Sequence, residues 1–173
     1  EPWCSAVLGY SAGVHAPGRT DPVAAVAAAH HLLLAHGLGV SALREVGVVG
    51  AVGLTLNPYP VVAVGDGPAD LDAVRRADGL ANRLWWDPVF KGSYPADVVV
   101  DLEPLGFADH VLDGDLDLIS APVDALGINY YRRHHVRHGS GASASTGMWP
   151  GSPDMEVVDP PGESTALGWA VEP

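Results

Sequence analysis

The stretch Val46-Gly47-Val48-Val49-Gly50-Ala51-Val52-Gly53-Leu54-Thr55-Leu56 decides the fold class. It is short, β-branched and apolar on both alternating faces, the pattern of a strand buried in a parallel sheet. Glycines inside such a run imply close packing against a neighbouring backbone, and Asn57-Pro58 ends it. On its N-terminal side, Thr20-Asp21-Pro22 supplies a helix cap followed by proline at the first helical position. An alanine- and leucine-rich helix is predicted over residues 23–36, with so little polar face that most of its sides should be covered. Gly37 and Gly39 weaken it, and residues 41–45 read either as its continuation or as a short second helix.

On the C-terminal side, Gly67-Pro68 opens a second helix over residues 69–86. Asp70, Asp72, Arg75 and Arg76 lie on one side of it, Leu71, Val74, Leu80 and Leu84 on the other, and Pro88 closes it. Residues 96–102 read as a short helix or strand, and residues 122–131 as a second buried strand ending in polar and aromatic residues. Residues 139–164 are rich in glycine, serine and proline and predict a long loop. The order helix, strand, helix, strand implies an α/β fold with parallel strands and helical crossovers. Two strands do not complete a sheet, so either further strands escape recognition or the 173 residues belong to a larger domain.

Composition narrows the function. Hydrophobic residues are 47% and charged residues 17%, which is globular rather than disordered. Glycine (21) and proline (15) point to many turns. Nine basic residues, with Lys91 the one lysine, face 21 acidic ones for a net charge of −12. The single basic cluster is Arg132, Arg133 and Arg137 with their histidines, which makes nucleic acid and anionic membranes poor partners. A neutral small molecule is compatible with this charge. The one cysteine, Cys4, excludes a disulfide-stapled domain and mildly favours a reducing, cytoplasmic location. The apolar run 23–34 is interrupted by His30 and His31 and does not read as a membrane span. No signal peptide is expected at the start, and opening on Glu1 suggests a longer parent.

Several constellations fail on their spacing. Gly47-Val48-Val49-Gly50-Ala51-Val52-Gly53 lacks the G-x-G-x-x-G pattern of a nucleotide loop. Asp113-Gly114-Asp115-Leu116-Asp117 imitates the start of a calcium loop, but its sixth position is Leu118 and its twelfth Asp124, so a solvated acidic loop is expected. His134, His135 and His138 lie between arginines with no acidic residue or cysteine near, so they read as a polar loop surface rather than a metal site. His30, His31 and His36 read as core or helix-end histidines, and Cys4 as a small buried residue.

Six short motifs in sequence order carry a resemblance. Glu1-Pro2-Trp3-Cys4-Ser5-Ala6 followed by Gly13-Val14-His15-Ala16-Pro17-Gly18 resembles the stretch after the fourth strand of glycoside hydrolase family 1, whose Asn-Glu-Pro motif carries the acid/base glutamate. His31 to Gly37 resembles the fourth helix, and Gly53-Leu54-Thr55-Leu56-Asn57 the fifth strand. Asp87-Pro88-Val89-Phe90-Lys91-Gly92-Ser93-Tyr94-Pro95 resembles the family's Asp-Pro-x-x-x-Gly-x-Tyr-Pro segment. Leu126-Gly127-Ile128-Asn129-Tyr130-Tyr131 resembles the sixth strand, and Leu167-Gly168-Trp169-Ala170-Val171-Glu172-Pro173 the segment after it.

The resemblance implies part of a (β/α)8 TIM barrel, from the end of strand four through the loop after strand six, with all 173 residues within one catalytic domain. It implies a retaining β-glucosidase that acts on terminal β-D-glucosides by double displacement between two carboxyl groups, with no metal or other cofactor. Glu1 matches the acid/base, and Asn129 and Tyr131 match a pair near the nucleophile. Trp3 and Trp169 match positions at the entrance. His15 and Asn57 match more weakly, as substrate contacts or loop braces, and Trp85 and Trp86 are expected to pack. The family's nucleophile sits in a Glu-Asn-Gly motif that does not occur here, so the 173 residues alone are expected to be inactive, and poorly stable as a part-barrel. A free amino group on Glu1 would lower its carboxyl pKa, whereas a general acid needs it raised, so a poor acid is expected. A 6-phospho-β-glycosidase of the same family and a non-catalytic sugar-binding or assembly module are the alternatives.

Overall fold

The computed structural model describes residues 1–139 and 147–172. Helix α1 spans Pro22–Glu45. It starts where the sequence places it: the Asp21 carboxylate accepts the Ala24 amide at 3.0 Å, and Pro22 fills the first turn. It runs past both glycines, so residues 41–45 continue it. Gly37 is there for packing, because a Cβ at that position would overlap the Leu118 carbonyl of a neighbouring helix. The buried positions Val26, Ala29, His30, Leu33, Gly37 and Val40 follow the three-to-four-residue spacing of a single face. Within residues 1–173 the remaining sides are open, with Val23, Leu38 and Leu43 exposed. The helix is long and apolar enough to cross a membrane by length and composition, yet it lies against the protein core through its buried face.

Strands β1 (Gly53–Leu56) and β3 (Ala125–Ile128) pair in parallel, with Gly53 opposite Ala125 and Leu56 opposite Ile128. A Cβ on Gly53 would overlap the Ala125 carbonyl, the close approach its glycine implied. The predicted strand over 46–56 is corrected at its N-terminal end. Residues 46–52 are a turn in which Val46 and Val49 stand in solvent, because apolar content alone cannot tell a strand from the loop that feeds it. Strand β2 (Val61–Ala63) pairs in parallel with β4 (His134–His138), and β4 pairs antiparallel with β5 (Met155–Val158), giving the order β2-β4-β5.

The sequence reading missed these three strands. In β4, histidine replaces an apolar residue. His134 and Val136 point inward and Arg137 and His138 are exposed, so the period of two is present but written in polar letters. The predicted polar loop at 134–138 is therefore corrected to a half-buried strand. The predicted loop over 139–164 is corrected by β5 within it, and its residues 140–146 lie outside the described ones.

The connection from β1 to β3 is helical, as expected. Helix α2 (Pro68–Asp78) starts on Pro68, passes through a π-helical turn at Gly79–Arg83, and gives way to α3 (Leu84–Lys91). Pro88 lies inside α3 rather than closing it; the end comes at Gly92, in the left-handed region at φ 65°. Residues 96–102 resolve to helix α4 (Ala96–Asp101). Asp97 and Asp101 of α4 bind Arg75, and Asp97 also binds Arg83, fastening α4 to α2 and the π-turn.

Helix α5 (Asp115–Ile119) completes the connection. Asp115 is buried, which corrects the solvated acidic loop expected there. It accepts from the Leu112 amide and pairs with Nε2 of the fully buried His30, whose Nδ1 meets the Tyr94 hydroxyl, each at 2.9 Å. This network satisfies polar groups among α1, α5 and the loop after α3 that burial would otherwise leave unpaired. Among the described residues the strands form two open sheets and no closed barrel.

Candidate active site

Parallel strands deliver their following residues to one end of the sheet. Asn57 follows β1, and Asn129 and Tyr131 follow β3, so all three lie beyond the C-terminal ends of the paired strands. The Asn129 amide bonds to the Leu56 carbonyl at 2.9 Å, which extends the β1–β3 ladder to the point where the polar residues begin. Glu1 reaches this end as well, through its nitrogen on the Thr55 carbonyl at 3.3 Å.

The Glu1 carboxylate is the centre of the cluster. Its Oε1 accepts from both Asn129 Nδ2 and the Tyr131 hydroxyl. Its Oε2 faces the Cys4 thiol at 3.4 Å, one helical turn along the chain. Donation from Tyr131 is the main cause holding the Glu1 carboxyl below its ordinary value. Partial burial opposes this, and Asn129, Cys4 and the nearby amino group add to the lowering. The expected direction stands, but the tyrosine and not the amino group dominates. The same contact pushes the Tyr131 hydroxyl up to about 12. Burial and the neighbouring Glu1 push the Cys4 thiol up, which keeps it protonated as a donor rather than a nucleophile.

Two aromatic groups adjoin the residues of this cluster. Trp169 meets Tyr131 edge-on, with ring centroids 5.7 Å apart, and the Arg132 guanidinium stacks over the Trp169 indole at 5.8 Å. On the inner side Trp3 is only 4% exposed and packs against Trp149 at 5.2 Å, so Trp3 belongs to the core here and not to an open entrance. Trp149 also meets His134 at 5.5 Å, and His134 lies 4.4 Å from the Tyr59 ring. Burial pushes His134 down to about 4, with Arg132 and His135 adding to the effect.

Glu1, Asn129, Tyr131 and Trp169 thus come together. Asn57 is buried and donates to the Tyr59 hydroxyl at 3.2 Å, the geometry of a brace. His15 is exposed on the loop before α1, away from these contacts. Trp85 is buried with its indole N–H on the Leu80 carbonyl, while Trp86 lies at a surface cleft of about 540 Å³ with Tyr59, Phe90 and Tyr130. The sequence reading missed Cys4, Arg132 and Trp149 as members of the cluster. Only Cys4 carried a signal, its three-residue spacing from Glu1. Among the described residues no group of three or more His, Cys, Asp or Glu could hold a metal ion.

A lone carboxylate with hydroxyl and amide donors, beside a flat indole at the end of parallel strands, suits acid–base work on a neutral ligand with an apolar face. Comparison with known proteins agrees in kind. The family model described as Glycosyl hydrolase family 1 matches residues 1–173. A β-glucosidase from Agrobacterium sp. (strain ATCC 21400) is 47% identical over 172 residues, covering 99% of this chain and 36% of that protein. The crystal structure of a psychrophilic β-glucosidase from Micrococcus antarcticus superimposes with a TM-score of 0.91 at 42% identity, over 99% of this chain and 39% of its own. A 6-phospho-β-glucosidase from Bacillus subtilis (strain 168) is 35% identical over 130 residues, 75% of this chain and 28% of that protein. The chain therefore spans well under half the length of these relatives.

Proposed function

The chain belongs to glycosyl hydrolase family 1, and from that premise we propose that it is the acid/base-bearing part of a retaining β-glucosidase built on a (β/α)8 barrel. In this reading residues 1–173 lie within one catalytic domain, β1 and β3 are the fifth and sixth barrel strands, and Glu1 follows the fourth. The parallel register of β1 and β3, with polar residues gathered at their C-terminal ends, supports it. The observation that carries the proposal is the convergence of Asn129 and Tyr131 on the Glu1 carboxylate.

Glu1 protonates the glycosidic oxygen while a second carboxylate, supplied from outside residues 1–173, attacks the anomeric carbon. Glu1 then takes a proton from the water that attacks the anomeric carbon, and the glycosyl–enzyme bond breaks to release the second carboxylate. The two carboxyl groups of a retaining pair stand about 5–5.5 Å apart. A hydroxyl resting on Glu1 is within reach of both, so Tyr131 can pass its donation to the second carboxylate. That leaves Glu1 free of its main source of pKa lowering when it must act as an acid. Trp169 offers an indole face to the aglycone.

The test is hydrolysis of p-nitrophenyl β-D-glucoside by the full-length polypeptide that the gene encodes, followed by proton NMR. β-Glucose as first product is expected; α-glucose, or binding without turnover, contradicts the proposal. The Bacillus relative raises a 6-phosphoglucoside reading, and hydrolysis of the 6-phosphorylated substrate in preference to the free one would establish it. The free glucoside is favoured by the higher identity to the Agrobacterium enzyme.

A further inference from the structure

After β5 the chain forms a tight hairpin that carries Trp169. Ser164 bridges to Ala170, the Val171 amide bonds to the Glu163 carbonyl at 2.9 Å, and Thr165 Oγ1 accepts from the Trp169 amide at 3.2 Å. These bonds shape the hairpin but do not attach it to anything. Within residues 1–173 its residues 161–168 are exposed, Leu167 at 72%. Among the described residues, one hydrogen-bonded side-chain pair ties residues 163–172 to the sheet. Glu172, three positions past Trp169, places both carboxylate oxygens 2.9 Å from Nε2 of His135 in β4. Both side chains are about four-fifths buried.

The pair lies next to the ring it would control. His135 is three residues past Arg132, whose guanidinium covers Trp169, and four past Tyr131, whose ring meets Trp169 and whose hydroxyl holds Glu1. We propose that His135 and Glu172 form a latch that seats the hairpin, and that they are positioning residues for Trp169 in aglycone recognition. Neither touches the reacting atoms. Their effect is to hold the Trp169 wall in place before a substrate binds, so that the substrate does not bear an ordering cost. This inference rests on the proposed glucosidase reading for its kinetic consequence, though not for the latch itself.

The test uses the full-length polypeptide. His135→Ala should raise KM for an aryl β-glucoside about fivefold, the scale of one net hydrogen bond, with the loss in KM rather than kcat. It should leave KM for methyl β-glucoside, whose aglycone is too small to reach Trp169, nearly unchanged. His135→Gln, which keeps a donor at the place of Nε2, should recover most of the loss. In a Trp169→Ala background His135→Ala should add nothing, because coupled residues are non-additive. An equal KM rise for both substrates, or full additivity with Trp169→Ala, would overturn the latch. The Trp169 indole N–H resonance gives a readout independent of turnover. If no β-glucoside is hydrolysed, a resonance that shifts in His135→Ala and returns in His135→Gln upholds the latch while the glucosidase reading falls. An unmoved resonance overturns the latch whatever the activity.

Discussion

Glu1 gathers three donors, and Tyr131 is the one that matters most to its protonation. In residues 1–173, where its hydroxyl rests on Glu1, replacing Tyr131 with Phe should raise the Glu1 pKa toward the ordinary value for glutamate, read as the titration of its carboxyl carbon by NMR; an unchanged midpoint would remove Tyr131 as the cause. His134 makes a second prediction. Its folded pKa of about 4 lies below the 6.5 of a free imidazole, so the unfolded chain binds the proton more readily. Stability is then complete above about pH 6.5 and falls as the pH drops toward 4, by up to about 3 kcal/mol. His134→Phe should flatten that fall in denaturant titrations of the full-length polypeptide at several pH values, and it removes an Nδ1 that has no partner among the described residues. A pH dependence unchanged in the variant would show that other groups carry it. Glu1, Asn129 and Tyr131 were legible because short motifs name them. Trp3 shows the limit: its identity matched an entrance position, but burial depends on what packs above it, and Trp149 is distant in sequence.

Helix α1 was the most legible element because cap, proline and composition all agree at its start. Its length was not, because glycine reads as a helix breaker unless the neighbour it accommodates is known. Two substitutions separate these roles. Gly37→Ala should destabilise by about 1–3 kcal/mol, since the Leu118 carbonyl is backbone and has little room to move. Gly39→Ala, with nothing near its Cβ position, should stabilise by about 0.5–1 kcal/mol through helix propensity. Chemical denaturation of both variants of the full-length polypeptide checks the contrast, and equal shifts would mean that α1 does not pack on α5 as described. The strands were harder to read. β2 has three residues, and β4 carries histidine where a pattern search looks for valine, so neither offers the run of apolar residues that reveals a parallel strand.

At the scale of the molecule, the α/β class followed from the alternation of elements, while closure into a barrel did not, because two short sheets carry no sign of what completes them. Strands β1 and β3 each keep one unpaired edge among the described residues, and such edges invite association. Residues 1–173 expressed alone are accordingly expected to unfold over a broad range of temperature and to aggregate. A sharp, reversible calorimetric transition would contradict that. The central claim, that Glu1 is the acid/base of a retaining glucosidase, is tested most directly by Glu1→Ala in the full-length polypeptide. Loss of the acid should matter only where the leaving group needs a proton. Hydrolysis of an alkyl β-glucoside should fall by at least about 100-fold, and hydrolysis of 2,4-dinitrophenyl β-glucoside much less in its first step. Added azide should accelerate turnover of the latter and yield β-glucosyl azide. Equal losses for both substrates, with no azide product, would contradict the assignment.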